Sequence, residues 1–223
     1  MPLFSRATAA SLSLFFVLSA QAASDKVQQL IEYDMLGSDL RYFESIAGVA
    51  RKSYDWTYNY VVDGCHIQVT APQAHTINKI RIELTEQCQP DFSDALASFA
   101  PDTKQPLTIG NFANSFSDLS FTADCLSGCG NAADPYIYAY WQGPRAFELR
   151  EVMLEVVQVA TPALEAADKW QALMEQHEGE DWVMDTQFNC NHKYDTQAQQ
   201  FFNPVQVTAV TIGYDLRNES SCQ

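Results

Sequence analysis

Val62-Asp63-Gly64-Cys65 restricts the fold of this chain more than any other stretch. Before it, Trp56, Tyr58, Tyr60 and Val62 alternate with Thr57, Asn59 and Val61; after it, Cys65, Ile67 and Val69 alternate with His66 and Gln68. A period of two on both sides of an Asp-Gly pair predicts a two-residue hairpin, because both central positions of such a turn need positive φ, which Asp and Gly tolerate. The turn dictates the register: Val62 opposite Cys65, Tyr60 opposite Ile67, Tyr58 opposite Val69. A slip of one residue would carry every apolar side chain to the wrong face. Trp56, Tyr60 and Ile67 are therefore expected on one buried sheet face. A third strand supplies Ile80, Ile82 and Leu84 to that face, while Lys79, Arg81 and Glu83 join Thr57, Asn59, His66 and Gln68 on a polar one. The candidate binding residues are Asp63 at the hairpin tip and His66, Gln68 and Arg81 on the polar face, which is left to meet water or a partner.

Helical spacing surrounds this meander. Ser24 can cap a helix carrying Val27, Leu30, Ile31 and Met35, and Ser38 a second one carrying Leu40, Phe43, Ile46 and Ala47, with Gly37 and Gly48 as stops. Residues 89–106, with Pro90, Pro101 and Pro106, read as a connection. Beyond it Thr108 can cap a short helix with Phe112 and Phe116, Tyr136 to Trp141 reads as a strand, Gln142-Gly143-Pro144-Arg145 as a turn, and Val152, Leu154 and Val156 as a further strand. Thr161-Pro162 starts a helix whose apolar stripe runs through Ala163, Ala166, Trp170, Leu173, Met174 and His177 to Gly179. Two last strands are expected at Trp182 to Cys190 and Val205 to Tyr214, joined by the polar stretch from Asn191 to Gln200. The class is α+β, an antiparallel meander packed against helices, arranged in two tandem units over residues 23–105 and 106–223.

The first 22 residues read as an export signal. Arg6 precedes the apolar run Ala7 to Leu18, and Ala20-Gln21-Ala22 is a small-x-small cleavage site. No later window is apolar over the 18 residues that a span needs, so a periplasmic or secreted protein without a membrane span is expected. All six cysteines follow the leader, and in an oxidising compartment they predict disulfides. Cys65 and Cys88 bracket neighbouring strands, Cys125 and Cys129 stand four apart, and Cys190 with Cys222 remain to pin the C-terminus. The net charge is −15, one unit more negative once Arg6 leaves with the leader. Such a field repels nucleic acid and favours encounter with basic proteins or cations; the plainer reading is solubility alone.

The order running from Leu40-Arg41-Tyr42-Phe43 to Gly48, then Trp56-Thr57-Tyr58 and Val62-Asp63-Gly64-Cys65, resembles the helix-plus-meander unit of the β-lactamase-inhibitor-protein family and of the small lipoprotein of the outer-membrane assembly machine. The likeness covers Ser38 to Leu84, with a fainter second pass over Thr108 to Val157. It implies tandem units that bind protein through the open sheet face and hairpin loops, without chemistry. This chain differs in lacking a lipidation cysteine, in the long helix after Val157 and in its cysteine layout, and no binding residue of that family carries over.

Catalytic patterns are sparse. His66, His75, His177 and His192 would each need an orienting partner to act as an acid or base. His177, Glu178, Glu180 and Asp181 are the best candidate cation cluster, the alternative being a solvated helix end. Cys125-Leu126-Ser127-Gly128-Cys129 has one residue too many for a thioredoxin-like redox pair, and Cys190 with His192 suggests a thiol nucleophile only if Cys190 is unpaired. Trp56, Tyr58 and Tyr60, or Tyr136, Tyr138, Tyr140 and Trp141, would stack on sugars if they were exposed, but they alternate as core positions do. Asn218-Glu219-Ser220 fits a glycosylation acceptor, relevant only in a eukaryotic host. The expectation is a non-enzymatic exported binding protein needing no cofactor or metal, an inhibitor or immunity protein for a basic secreted enzyme. The alternatives are an envelope-assembly protein, and a carbohydrate-binding module or hydrolase with an aromatic cleft.

Overall fold

The computed structural model describes residues 24–102, 105–123, 125–126, 135–185 and 188–219. The leader at 1–22, Cys129, Cys222 and Ser220 of the Asn-Glu-Ser acceptor lie outside these residues. The chain opens with α1 (Asp25–Leu30), its N-terminus closed by the Ser24 hydroxyl accepting from the Val27 N–H, and α2 (Leu40–Ala47). Asp39, not the expected Ser38, caps α2: its carboxylate accepts from the Arg41 N–H, while the Ser38 hydroxyl donates to the Met35 carbonyl. Four strands follow as a meander: β1 (Lys52–Tyr54), β2 (Thr57–Val62), β3 (Cys65–Thr70) and β4 (Lys79–Glu83). The expected Asp63-Gly64 turn forms with φ of 48° and 88° and sets Val62 opposite Cys65, Tyr60 opposite Ile67 and Tyr58 opposite Val69.

Trp56 departs from expectation. It sits with Asp55 in a second two-residue turn, between β1 and β2, at φ of 43° and 66°, and is half exposed. The alternation that seemed to start at Trp56 starts at Thr57. The register itself stands.

The connection at 89–102 carries one helical turn, α3 (Ser93–Leu96), and Thr108 caps α4 (Ile109–Ala113) by accepting from the Asn111 N–H. A second meander follows: β5 (Ser120–Ala123), β6 (Tyr136–Gln142) and β7 (Glu151–Val157), then α5 (Thr161–Glu178), α6 (Glu180–Asp185), α7 (Asp195–Phe202) and finally β8 (Ala209–Gly213). The expected strand from Trp182 to Cys190 is instead α6 and a turn, and the supposed polar link from Asn191 to Gln200 contains most of α7. Residues 23–105 and 106–223 each contribute four strands to one antiparallel sheet, in the order β1-β2-β3-β4-β8-β7-β6-β5. The last strands of the two meanders, β4 and β8, pair antiparallel at its centre. The fold is α+β, as the periodicity indicates.

Cross-strand partners share a face, so the register sorts the sheet into rows. Tyr60, Ile67, Ile82, Val210, Leu154, Ala139 and Phe121 form one row of the inner face. All are buried, and the helices pack on them. Phe43 of α2 lies against Tyr60, and Trp170 of α5 meets Phe121 and Phe202 at right or near-right angles. Phe92 against Phe112, and Phe99 against Trp141, carry this core across the junction of the halves. Each such side chain contributes about 1.5–3 kcal/mol by leaving water.

A disulfide joins Cys65 to Cys88, as expected, with both cysteines buried. Cys125 and Cys190 are also disulfide-bonded; the expected pairs Cys125–Cys129 and Cys190–Cys222 each include a residue outside the described ones. Among the described residues no helix is long and apolar enough to cross a membrane, and the disulfides suit an oxidising compartment.

Candidate functional site

The outer face of the sheet has its own row, Lys52-Asn59-Gln68-Arg81-Thr211-Met153-Tyr140-Ser120, crossing all eight strands. Its β1–β4 end is polar and partly exposed. Gln68 donates through Nε2 to Asn59 Oδ1 at 3.1 Å, and His66, with a largely exposed ring, stands 3.9 Å from Glu83. Asp63 at the hairpin tip accepts from the Ser24 hydroxyl at 2.6 Å. Three of the four sequence-derived candidates, His66, Gln68 and Arg81, thus share this face, and Asp63 stands at its rim.

Arg81 is less available than its position suggested. Its guanidinium grips Glu155 through Nε and Nη2 at 2.8 and 2.7 Å, and Glu83 through Nη1 at 2.9 Å. Thr211 adds a bond to Glu155 at 3.3 Å. Burial alone would make the guanidinium easier to deprotonate, but the bonds to Glu155 and then Glu83 outweigh it and hold the charge more firmly than in water. The pair ties β4 to β7 across β8, so its first effect is to lock the two meanders together.

At the other end of the face is an open hollow of about 170 Å³. Ser120 and Thr122 of β5 supply hydroxyls, Tyr138 and Tyr140 of β6 supply rings, and Met153 with Leu216 supply apolar surface. Arg217 lies over the Tyr140 ring, 4.5 Å from its centroid. Burial and then a hydrogen bond to Glu151 keep the Tyr140 phenol protonated well above the ordinary range. Glu151 also accepts from the Leu216 N–H at 2.6 Å, which holds the C-terminal turn over β7.

His192 stands at the rim of the same hollow. Its Nδ1 is 3.5 Å from Asp195 Oδ2. Asp195 is itself held in place: Oδ1 accepts from the Phe121 N–H at 2.9 Å and from the fully buried Asn189 amide at 2.7 Å. Burial keeps the Asp195 carboxyl above the usual aspartate range, an effect that the Phe121 N–H, His192 and Asn189 offset only in part. Phe188, Asn189 and His192 all have positive φ, at 52°, 73° and 59°. Backbone strain of this kind persists only where surrounding contacts over-determine it.

Several sequence readings change. Cys190 is disulfide-bonded, which removes the thiol-nucleophile reading. In the His177, Glu178, Glu180, Asp181 cluster, Glu178 is engaged by the Lys193 ammonium and by the Tyr194 hydroxyl at 2.6 Å, and these bonds lower its pKa. Among the described residues no three His, Cys, Asp or Glu side chains converge as metal ligands would. Tyr60 and Trp141 are core; Tyr138 and Tyr140 border the hollow. Sequence reasoning missed the exposed pair Tyr54 and Trp56 on the β1–β2 hairpin, because no Gly or Asn marks that turn, and it missed the joining of His192 to Asp195, whose three-residue spacing was visible. Comparison with protein-family models, characterised proteins and solved structures finds no match.

Proposed function

We propose that this chain is an exported, periplasmic, non-enzymatic binding protein that engages a cationic secreted protein through the outer face of its sheet, as an inhibitor or immunity partner. The observation that carries this reading is the one-sided sheet. Helices occupy the inner face, while the outer face presents polar side chains from β1 to β4 and ends in a hairpin bearing exposed Tyr54 and Trp56. Aromatic residues on a rigid support are the side chains on which binding energy concentrates. The net charge of −15 favours a basic partner through long-range steering, more in association rate than in final affinity. The resemblance over Ser38 to Leu84 supports the same mode of binding.

The test is capture of basic secreted enzymes by the oxidised protein at low and high salt, with parent and variants side by side. Asn59→Arg with Gln68→Arg places two positive charges on the outer face and is expected to weaken capture at least tenfold. Leu164→Arg, on the exposed side of α5, is expected to leave it unchanged. The reverse pattern would contradict this reading.

A further inference from the structure

We infer that Asn189 and Asp195 form a guard that closes the β5 edge of the sheet against strand addition by a second copy of this chain. β5 is the last strand of the sheet, and an edge strand offers unpaired N–H and C=O groups to any other strand. The composition of β5 does not discourage such pairing. Ser120-Phe121-Thr122-Ala123 carries neither charge nor proline, and a second copy brings the same strand, with its aromatic and β-branched residues. At the opposite edge β1 is protected by its three-residue length and by Lys52.

Phe121 carries the closure. Its N–H donates to Asp195 Oδ1 at 2.9 Å, and its carbonyl accepts from Asn189 Nδ2 at 2.9 Å. One residue thus spends both backbone groups on side chains, as it would on a neighbouring strand. The same Asn189 amide donates to Asp195 Oδ1 at 2.7 Å, so the two side chains stand in for one peptide group of a ninth strand. Both are held from behind. Asn189 is fully buried and its Oδ1 accepts from the Tyr194 N–H at 2.8 Å, while the Tyr194 carbonyl accepts from the Trp170 indole at 3.3 Å. Asp195 is the first residue of α7, and the Phe121 ring packs against Trp170 and Phe202. Phe188, Asn189 and His192 hold positive φ, a backbone that no β-strand adopts, so this segment meets the edge with side chains instead of a ladder of its own. The guard lies at the end of the sheet opposite the β1–β2 hairpin, so it and the proposed partner surface can fail separately.

The test is analytical ultracentrifugation of the oxidised parent and variants over a range of concentrations, with hydrogen exchange of the Phe121 amide in the parent. The net charge of −15 opposes self-association, so the runs use about 0.5 M salt, where charges more than a few Å apart are screened. Asn189→Asp tolerates positive φ and keeps the acceptor for Tyr194, but it loses the donor to Phe121. Asp195→Ala frees the Phe121 N–H. Each is expected to approach about twice the parent's mass as concentration rises. Asp195→Asn keeps an oxygen for the Phe121 N–H and is expected to stay at the parent's mass. So is Val69→Ala, which weakens the buried core at β3 without touching β5. In the parent the Phe121 amide is expected to exchange at least about a hundredfold more slowly than an unprotected amide; this reading decides if neither guard variant folds. Parent mass in either folded guard variant, equal association of Asp195→Asn or Val69→Ala, or weaker protection of Phe121 would each overturn the assignment.

Discussion

The Arg81–Glu155 pair is the clearest case of one residue serving a purpose that its sequence position concealed. Arg81 lies on one meander and Glu155 on the other, and Glu155 is 4% exposed. Removing one partner of such a pair leaves a buried charge uncompensated, so Arg81→Met is expected to destabilise the fold by about 3–5 kcal/mol in urea unfolding. Arg81→Met combined with Glu155→Leu is expected to recover most of that loss, because well-packed apolar replacements of buried pairs are often neutral. A double variant no better than the single one would contradict this. Asp195 supplies a second test. Its folded pKa lies above its unfolded value, so it favours folding most below about pH 3.9, and that contribution is lost as pH rises through the folded pKa. Asp195→Asn removes the titration, so the stability of the variant relative to the parent is expected to rise as pH increases above about 4. A difference independent of pH would count against the burial of that carboxyl.

Among the elements, the two turns of the first meander make an instructive pair. Asp63-Gly64 uses two residues suited to positive φ, whereas in Asp55-Trp56 only the Asp is suited and the Trp is not. A bulky residue held left-handed costs about 1 kcal/mol or more, so Trp56 is retained against its local preference. Replacing the turn by Asp55→Asn with Trp56→Gly is expected to raise the melting temperature by about 2–4 °C and to weaken capture of the cationic partner about tenfold. A gain in stability without loss of capture would remove Trp56 from the binding surface. Elements were legible where local chemistry allowed one solution. Asp63-Gly64 set three residue pairs of β2 and β3 in register, and Thr161-Pro162 started α5 where expected. Trp182, Met184 and Phe188 mimic a strand by their even spacing, yet the acidic Glu180-Asp181 start belongs to a short helix. Tyr194, Ala198 and Phe202 recur every four residues, a helical signal diluted by the polar residues between them. β1 and β5, at three and four residues, are too short to show a period.

For the whole molecule, the single sheet was not legible, because the β4–β8 pairing joins residues about 130 apart and leaves no local trace. The hollow was hidden for the same reason: Ser120, Tyr140, Met153 and His192 come from separate segments. The Cys65–Cys88 bridge was legible, since a hairpin and its neighbouring strand bring those ends together. It closes a loop of sequence separation 23, worth about 3 kcal/mol by restricting the unfolded chain. Cys65→Ala with Cys88→Ala is expected to lower the melting temperature by about 6–12 °C without changing the strand register. A destabilisation below ~1 kcal/mol would mean that the unfolded chain is already constrained there.

The most direct measurement is hydroxyl-radical footprinting of the oxidised protein, free and bound to a captured cationic partner. Binding through the outer face predicts protection of Tyr54, Trp56, Val61 and His66, with Leu164 and Leu149 unchanged. Protection of Leu164 with Trp56 and His66 still reactive would place the partner elsewhere and contradict the assignment of the sheet face.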